Sequence, residues 1–333
     1  MIIDTHAHFV PASLLDALCA NRGMFPSVRV LGERNAVRLA FAGQKPTRPV
    51  SPKLSDVEAR KEWLSKQRID CQVVGGWLDI FGYELGPSEG TDWCRFMNEH
   101  MRASASAVSE LAPLATVPLQ SGKLAAEILD SALAQGFHGA MIGTQPKGNG
   151  GNLDDADLNP FWKVASARNA TIFLHPMFVC GDDRLGQYDL VNGVGRLTDT
   201  TIAVARLLFS GHLTRYLGVN LVISHGGAAL PFALGRIRRN FDIDRSEFAE
   251  PVAEFRRLYF DTVLFEPRAL RFLCDVAGAD KVMLGSDHPF PIGDPEPLRI
   301  VDGTRLDPAE REAILGATAM RLFHISCGCR SNK

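Results

Sequence analysis

Eight short runs rich in Val, Ile and Leu recur along the chain of 333 residues, and segments with helical patterning and turn residues separate them. Short continuous apolar runs are typical of parallel strands that helices cover on both faces. Eight successive strand–helix units favour a closed (β/α)8 TIM barrel, an α/β fold, over an open doubly wound sheet. The runs begin at or near Ile3, Gln72, Leu114, Gly139, Thr171, Asn220, Leu258 and Lys281.

Residues 9–54 depart from this rhythm. Within them, SVRVLGERNAVRLAFAG alternates apolar and polar residues on either side of a Glu-Arg-Asn turn, which predicts a small β-hairpin. We interpret residues 9–54 as an insertion after strand 1 that lies over the barrel mouth. The next residues, Ser55-Asp56-Val57-Glu58, match a capping box with Ser55 as the cap and predict a helix. We expect one domain over residues 1–325, followed by a tail at 326–333.

Composition excludes several classes of partner. With 36 basic and 38 acidic residues, the chain has a formal net charge of -2, so no global field attracts nucleic acid or an anionic membrane. No apolar run reaches the length of about 18 residues that a membrane span needs, and no basic segment precedes the first apolar run. The 7 cysteines are scattered without CxxC spacing. These features favour a cytoplasmic enzyme with a small-molecule substrate.

Histidines stand where several of the predicted strands end. His6 and His8 finish the first run and share one face of a strand, because alternate side chains point the same way. His175 ends the fifth run, His225 ends the sixth, and Asp287 follows the eighth. The carboxyl ends of the strands form the mouth of a barrel, so these five side chains are expected to meet there.

Imidazole and carboxylate groups together suit Zn²⁺ and similar divalent ions, with Mn²⁺ as the alternative. We predict that His6, His8, His175 and Asp287 bind one such ion and that Asp287 also serves catalysis. His225 is then free to take or return a proton. An alternative role for Asp287 is to cap the segment before the next proline. The fourth run ends without Lys, Asp or Glu, which favours a single metal ion.

The chain resembles the amidohydrolase superfamily, and within it the branch that contains aminocarboxymuconate semialdehyde decarboxylase and the resorcylate-type decarboxylases. The resemblance implies a mononuclear, usually zinc-dependent barrel, in which the four proposed ligands match the metal ligands and His225 matches the catalytic histidine. The motifs that carry it are DTHAHFVP, GFHGAMIGT, FLHPMF, ISHGGAALPFALGRI, YFDT and LGSDHPFPIGD.

The resemblance also implies how a carboxylate substrate is held. Relatives bind carboxylates with arginines, whose planar fork matches the group, and Arg48, Arg184 and Arg236 stand at matching positions. Arg236 is contributed across a dimer interface in related decarboxylases, so we expect a homodimer; alternatively it is a solvated helix charge. Trp77 is a candidate for an aromatic wall. His288, where relatives commonly have Tyr, points either into the mouth or into the following loop.

These features predict a metal-dependent, non-oxidative decarboxylase of an aromatic or unsaturated carboxylate, a carboxy-lyase that needs no organic cofactor. The alternative is a hydrolase or hydratase that acts on a carboxylate-bearing ring or ring-cleavage metabolite with the same metal site. A third hypothesis, an inactive barrel kept as a binding module, is disfavoured because the set of site residues is complete.

Overall fold

The computed structural model describes residues 1–33, 36–147, 151–177, 181–245 and 248–326. Apart from Ser326, the predicted C-terminal tail lies outside the described residues. The strands, numbered along the chain, are β1 Ile3–His8, β2 Val28–Leu31, β3 Arg38–Phe41, β4 Cys71–Gly75, β5 Leu111–Pro113, β6 Ala140–Gly143, β7 Thr171–His175, β8 Asn220–Ile223, β9 Tyr259–Asp261 and β10 Val282–Met283.

Helices fill the connections between the strands. In the described part of the chain, none of them is long and apolar enough to cross a membrane. The α-helices are α1 Ala12–Ala20, α2 Val57–Lys66, α3 Pro87–Ser106, α4 Gly122–Ala134, α5 Asn159–Ala167, α6 Arg196–Phe209, α7 His212–Arg215, α8 Leu230–Ile243, α9 Pro251–Phe255, α10 Pro267–Ala277, α11 Leu298–Gly303, α12 Pro308–Glu312 and α13 Thr318–Leu322.

Eight of the strands are parallel and form two adjoining sheets, ordered β1-β4-β5 and β10-β9-β8-β7-β6. At one junction, the Thr5 amide donates to the Leu284 carbonyl at 2.8 Å. At the other, the Met141 amide donates to the Ala115 carbonyl at 3.0 Å. These bonds close the ring, and the predicted TIM barrel is confirmed.

One strand of the barrel is displaced from its predicted position. The run expected to start at Leu114 follows the strand instead of forming it, since β5 is Leu111–Pro113. Its residues pair with Gln72, Val73 and Val74 of β4. The apolar residues that follow β5 after Pro113 are buried between β4 and β6, which explains why their composition resembles that of a strand.

The segment between β1 and α2 contains the antiparallel pair β2–β3, in which Val28 lies opposite Phe41. Two residues of the predicted turn, Arg34 and Asn35, lie outside the described residues. The rings of Phe25 and Phe41 contact Trp93 of α3, at centroid distances of 5.1 and 5.4 Å. The hairpin therefore packs on α3.

Helix α2 begins one residue later than the capping-box pattern indicates. Asp56 is the N-cap, and its side chain accepts a hydrogen bond from the Ala59 amide at 2.9 Å. Ser55 has helical backbone angles because its amide closes a turn onto the Pro52 carbonyl. A capping residue needs extended angles, so Ser55 was the wrong choice of cap.

A buried polar network fixes the carboxyl end of β1. Arg60 of α2 is 1% exposed and donates to the His8 carbonyl at 2.6 Å and to the Gln72 side chain at 2.5 Å. The side-chain amide of Gln72 donates to Asp4 at 2.8 Å. Ser286, after β10, donates to Asp4 from both its backbone amide and its hydroxyl. The network joins α2, β4 and the last barrel strand to the strand that carries two histidines.

Replacing Arg60 with Met should reduce the free energy of unfolding by about 3 kcal/mol or more, because the change leaves the buried His8 carbonyl and Gln72 side-chain oxygen without their donor and removes a positive charge near the buried Asp4 carboxyl. Urea unfolding followed by circular dichroism measures the change. Arg95→Met is the matched control, since its pair with Asp92 is exposed on both sides and should matter by less than about 1 kcal/mol. Equal losses in the two variants would contradict a structural role for the network.

Candidate metal centre and active site

Four histidine rings and one carboxylate meet at the carboxyl ends of the barrel strands. His6 and His8 end β1, and His175 ends β7. His225 follows β8, and Asp287 follows β10. The His6 ring lies 5.0 Å from the His175 ring and 5.2 Å from the His225 ring, centroid to centroid. The structure therefore brings together all five side chains predicted to meet at the mouth.

Hydrogen bonds on Nδ1 orient three of these rings. His6 Nδ1 lies 2.6 Å from the Asp261 carboxylate. His8 Nδ1 donates to the Gly76 carbonyl at 3.0 Å, and His175 Nδ1 donates to the Pro176 carbonyl at 2.9 Å. A carbonyl only accepts, so His8 and His175 carry their proton on Nδ1, and His6 does the same beside a carboxylate. Each Nε2 then presents its lone pair to the centre of the barrel, the usual arrangement of metal-binding histidines.

The Nε2 atoms of His6, His8 and His175 are buried and have no hydrogen-bond partner among the described residues, and neither does Oδ1 of Asp287. Oδ1 of Asp287 lies 3.4 Å from Nε2 of His6 and 3.1 Å from Nε2 of His8. Buried polar atoms are normally paired, so four buried acceptors without partners that face one point indicate a cation-binding site. Three imidazole nitrogens and one carboxylate oxygen fit a divalent ion such as Zn²⁺.

His225 belongs to the same cluster but differs from the other histidines. The metal-binding atoms of His6, His175, His225 and Asp287 lie within 4.8 Å of one another. The His225 side chain is 16% exposed, whereas those of His6 and His8 are fully buried. Its Nε2 lies 3.7 Å from Oδ2 of Asp287. Among the four histidines of the cluster, His225 is thus the one most exposed to the open pocket.

The electrostatics of the site keep Asp287 and His175 in the forms that bind a metal ion. Burial raises the pKa of Asp287, but the neighbouring imidazoles of His6, His225 and His8 outweigh burial and hold that pKa well below its ordinary value. Burial and the neighbouring imidazoles hold the pKa of His175 well below its ordinary value. A carboxylate and a neutral imidazole are the forms that bind metal ions.

Asp261, at the end of β9, was not identified from the sequence as a site residue. Besides the contact with His6, its carboxylate accepts hydrogen bonds from the backbone amides of His225, Gly226 and Val263 at 2.9 to 3.1 Å. It therefore positions one proposed ligand and the proposed proton carrier together. Its place at the end of an apolar run, at the rim shared by the histidines, was the signal that could have identified it.

A cavity of about 300 Å³ opens beside the cluster, and His175, His225 and Asp287 form part of its wall. Trp77 lies in the wall, as predicted, and the Arg48 guanidinium lies 5.7 Å from its ring. Arg48 also pairs with Asp79 at 3.4 Å. The insertion thus reaches the pocket through its Arg48 loop. The remaining wall residues are Leu78, Asp79, Pro176, Asp189, Asn192, Arg196, Leu197, Val263, Phe265, Phe290, Pro291 and Ile292.

Arg184, predicted to bind substrate, does not reach the cavity, whereas Arg196, which was not identified from the sequence, does. The Arg184 side chain is 89% exposed, pairs with Asp182 and is not among the residues that line the cavity. Arg196 does line it. Its Nε donates to the Asn192 side chain at 3.0 Å and its Nη1 to the carbonyls of Pro176 and Met177, both at 3.3 Å. Nη2 of Arg196 has no partner among the described residues, so its N–H groups are available to a substrate.

Two further candidates lie outside this cavity. The His288 ring stacks on Trp63 of α2 at a centroid distance of 4.2 Å and lines a different cavity. Of the two orientations considered from the sequence, this is the one away from the mouth. Arg236 is exposed on α8 and does not line the pocket of its own chain. Its predicted contribution to a neighbouring subunit stays a prediction.

Comparison with known proteins gives the site its family context. The family model described as amidohydrolase matches residues 3–325. The 2-amino-3-carboxymuconate-6-semialdehyde decarboxylase of Dictyostelium discoideum is 29% identical over 80% of this chain and 76% of that protein. The apo structure of IDCase from Metarhizium anisopliae is 25% identical and has a TM-score of 0.80 over 97% of each chain.

A third comparison concerns the metal. A dihydroxybenzoic acid decarboxylase from Polaromonas sp. JS666, solved with bound manganese and the inhibitor 2-nitroresorcinol, has a TM-score of 0.76 and 18% identity, covering 97% of this chain and 96% of that one. The predicted resemblance is confirmed, and the His/Asp cluster stands at the mouth of a barrel of the same fold. The chain belongs to the amidohydrolase family.

Proposed function

We propose that the protein is a metal-dependent, non-oxidative decarboxylase of a small aromatic or unsaturated carboxylate. One observation carries the proposal: a metal-type centre and a fixed arginine with free N–H groups share one cavity. The names of the relatives support the reaction class, since two of the proteins compared above are called decarboxylases. A volume of about 300 Å³ suits a substrate of one ring or a similar size.

His6, His8, His175 and Asp287 are the proposed ligands of a single divalent ion. Three neutral imidazoles and one carboxylate favour Zn²⁺, and Mn²⁺ is the alternative because a protein of the same fold was solved with it. When bound, the ion supplies Lewis acidity towards an oxygen of the substrate. Thr144 and Gln145 follow the fourth barrel strand, β6, and donate to the Asp199 carboxylate. This arrangement supports one ion and not two.

His225 is the proposed proton carrier. In a non-oxidative decarboxylation the carbon–carbon bond to the carboxylate breaks, carbon dioxide leaves, and the electron pair stays on the remaining carbon. That carbon takes one proton, so the reaction consumes one proton per turnover. His225 lines the pocket and is partly exposed, so its ring can deliver a proton and take up another from solvent.

Arg196 is the proposed carboxylate-binding residue. The Pro176 carbonyl accepts from both His175 Nδ1 and Arg196 Nη1, so the guanidinium and a proposed metal ligand are held by the same atom. Binding energy from the substrate carboxylate can therefore be used to place the scissile bond beside His225. Arg48 is 65% exposed beside Trp77 and pairs with Asp79 at 3.4 Å, so it can close over the pocket by exchanging Asp79 for a second anionic group of the substrate.

We also infer that the active form is a homodimer. Phe232 of α8 is 88% exposed, and its ring lies 6.3 Å from that of Phe272 on α10, which is 42% exposed. Exposed aromatic pairs of this kind are typical of interfaces. Arg236 follows Phe232 by about one helical turn, so an interface on this face places it beside the neighbouring subunit.

Incubation of metal-loaded protein with a panel of aromatic carboxylates and a bacterial metabolite extract tests the function directly. Mass spectrometry should show a product lighter than its precursor by carbon dioxide. The His225→Asn variant should lose at least about 100-fold in turnover and keep its metal, because the ring supplies a proton but not a ligand. Asp287→Ala should lose metal and activity together.

Metal content measured by plasma mass spectrometry separates the possible outcomes. Loss of the ion from His225→Asn, with retention in His8→Ala, would make His225 a ligand and contradict its proposed role. A product heavier than its precursor by one water molecule would show that the reaction is hydration and not decarboxylation, and it would not contradict the metal site. Turnover by a metal-free Asp287→Ala protein would contradict the metal centre itself.

Replacing Arg196 with Met should lower kcat/KM for the carboxylate substrate about 100-fold, which corresponds to about 2.7 kcal/mol, because a charge-assisted hydrogen bond to the substrate is lost. Steady-state kinetics measure the change. Arg184→Met is the matched control, since this exposed side chain is 89% accessible and is expected to leave kcat/KM within twofold of the parent. The reverse order of effects would restore Arg184 as the substrate-binding residue.

The Phe232→Glu variant should be monomeric in light scattering after size-exclusion chromatography, because a charge replaces an interfacial aromatic ring. Leu217→Glu is the control, since Leu217 is 63% exposed before β8, at the amino-terminal end of the barrel, and should leave the dimer unchanged. A parent protein that is already monomeric, or a Phe232→Glu protein that is still a dimer, would contradict this interface.

A further inference from the structure

A second cavity of about 400 Å³ lies on the other side of the loop that follows Asp287. Its wall includes Lys53, Arg60 and Trp63 from the segment up to and including α2, and His288 and Phe290 from the loop. It is similar in size to the cavity beside the metal-type centre, about 300 Å³. Nothing in the proposed reaction uses it.

An aromatic surface forms one side of this second cavity. The rings of Trp63 and His288 are stacked with an angle of 27° between their planes. The backbone of His288 is fixed as well, because its carbonyl accepts from the His8 amide at 2.8 Å. A rigid pair of stacked rings offers a flat apolar surface to a planar ligand.

Buried nitrogens without hydrogen-bond partners among the described residues stand in the same wall: Nε of Arg60 is a donor, and Nδ1 of His288 donates or accepts according to the tautomer. Lys53 is exposed and forms no ion pair with another residue of the described part of the chain. A buried donor left unpaired costs about 1–3 kcal/mol, so an acceptor supplied by a ligand removes that cost.

The balance of charge in the wall favours an anion. Lys53 and Arg60 contribute two positive charges, while Asp294 contributes the one carboxylate of the described lining. The Asp294 carboxylate already accepts from the Glu296 amide at 2.9 Å. A ligand with a carboxylate and a flat body therefore matches both the charge and the aromatic surface.

We propose that this cavity is a second binding site for a small aromatic carboxylate, separate from the metal-type centre. Phe290 and Pro291 line both cavities, so an occupant of the second site contacts a wall of the first. Phe290 also contacts the His8 ring, at a centroid distance of 4.9 Å. The proposal concerns binding and does not depend on which reaction the metal centre performs.

The test uses benzoate as the probe and the full-length, metal-loaded protein in the Trp77→Phe background. This change removes the tryptophan of the first cavity, and Trp93 and Trp162 are buried at 0% and 1% exposure, so Trp63 is the tryptophan that reports on the second cavity. Benzoate should quench Trp63 fluorescence in a saturable manner. Lys53→Glu should weaken that binding at least tenfold, and the control Lys45→Glu, which changes an exposed lysine outside the cavity wall, should leave it unchanged.

Two further probes and one variant complete the experiment. Benzyl alcohol and inorganic phosphate should each bind at least tenfold more weakly than benzoate, because each lacks one of the two features that the site recognises. Arg196→Met should leave the fluorescence change intact, since Arg196 belongs to the first cavity. Absence of saturable quenching, quenching that Lys53→Glu leaves unchanged, or quenching that Arg196→Met abolishes would overturn the proposal. Absence of decarboxylase activity, with benzoate binding to the second cavity intact, would contradict the proposed function and still support the second site.

Discussion

The contact between His6 Nδ1 and the Asp261 carboxylate, 2.6 Å long and fully buried, is the interaction on which the rest of the site depends. It joins β1 to β9 and sets which nitrogen of His6 faces the centre. The same carboxylate holds the backbone of the turn that carries His225, where His225 and Gly226 have φ angles of 55° and 59°. An L residue is disfavoured at such angles, and a Cβ on Gly226 would lie 2.3 Å from the Leu264 side chain. The Asp261 carboxylate thus fixes the positions of both a proposed metal ligand and the proposed proton carrier.

The turn before α6 accounts for the way in which a substrate carboxylate would be recognised. Residues Val191–Gly195 form a π-helical turn, and Arg196 is the first residue of the α-helix that follows. Widened turns of this kind often occur at functional sites because they redirect a side chain. Asp199, one turn further along α6, accepts from Thr144 and Gln145 after β6, which fixes the start of the helix to the barrel. Arg196 is therefore the first residue of a helix whose start is anchored to the barrel.

The sequence was sufficient to predict what depends on local pattern and strand position. Eight apolar runs predicted the barrel, and the rule that strand ends meet at the mouth predicted that His6, His175 and Asp287 converge. The rule could not distinguish Arg184 from Arg196, because both follow β7 in a long connection and the path of that connection depends on packing. The predicted cap of α2 was wrong for a related reason. Ser55 fits the capping pattern, but a turn from Pro52 gives it helical backbone angles, which a cap does not have.

The closure of the barrel also determines when the metal-type centre can form. The Ser286 amide bonds to Asp4 across a sequence separation of 282 residues, and Thr5 bonds to Leu284 across a similar span. His6 and His8 precede Asp287 by 281 and 279 residues along the chain. During synthesis these histidines therefore remain without their carboxylate partner until the chain through Asp287 has emerged. Contacts of such high sequence separation form late and slowly in folding, so assembly of the centre coincides with completion of the barrel.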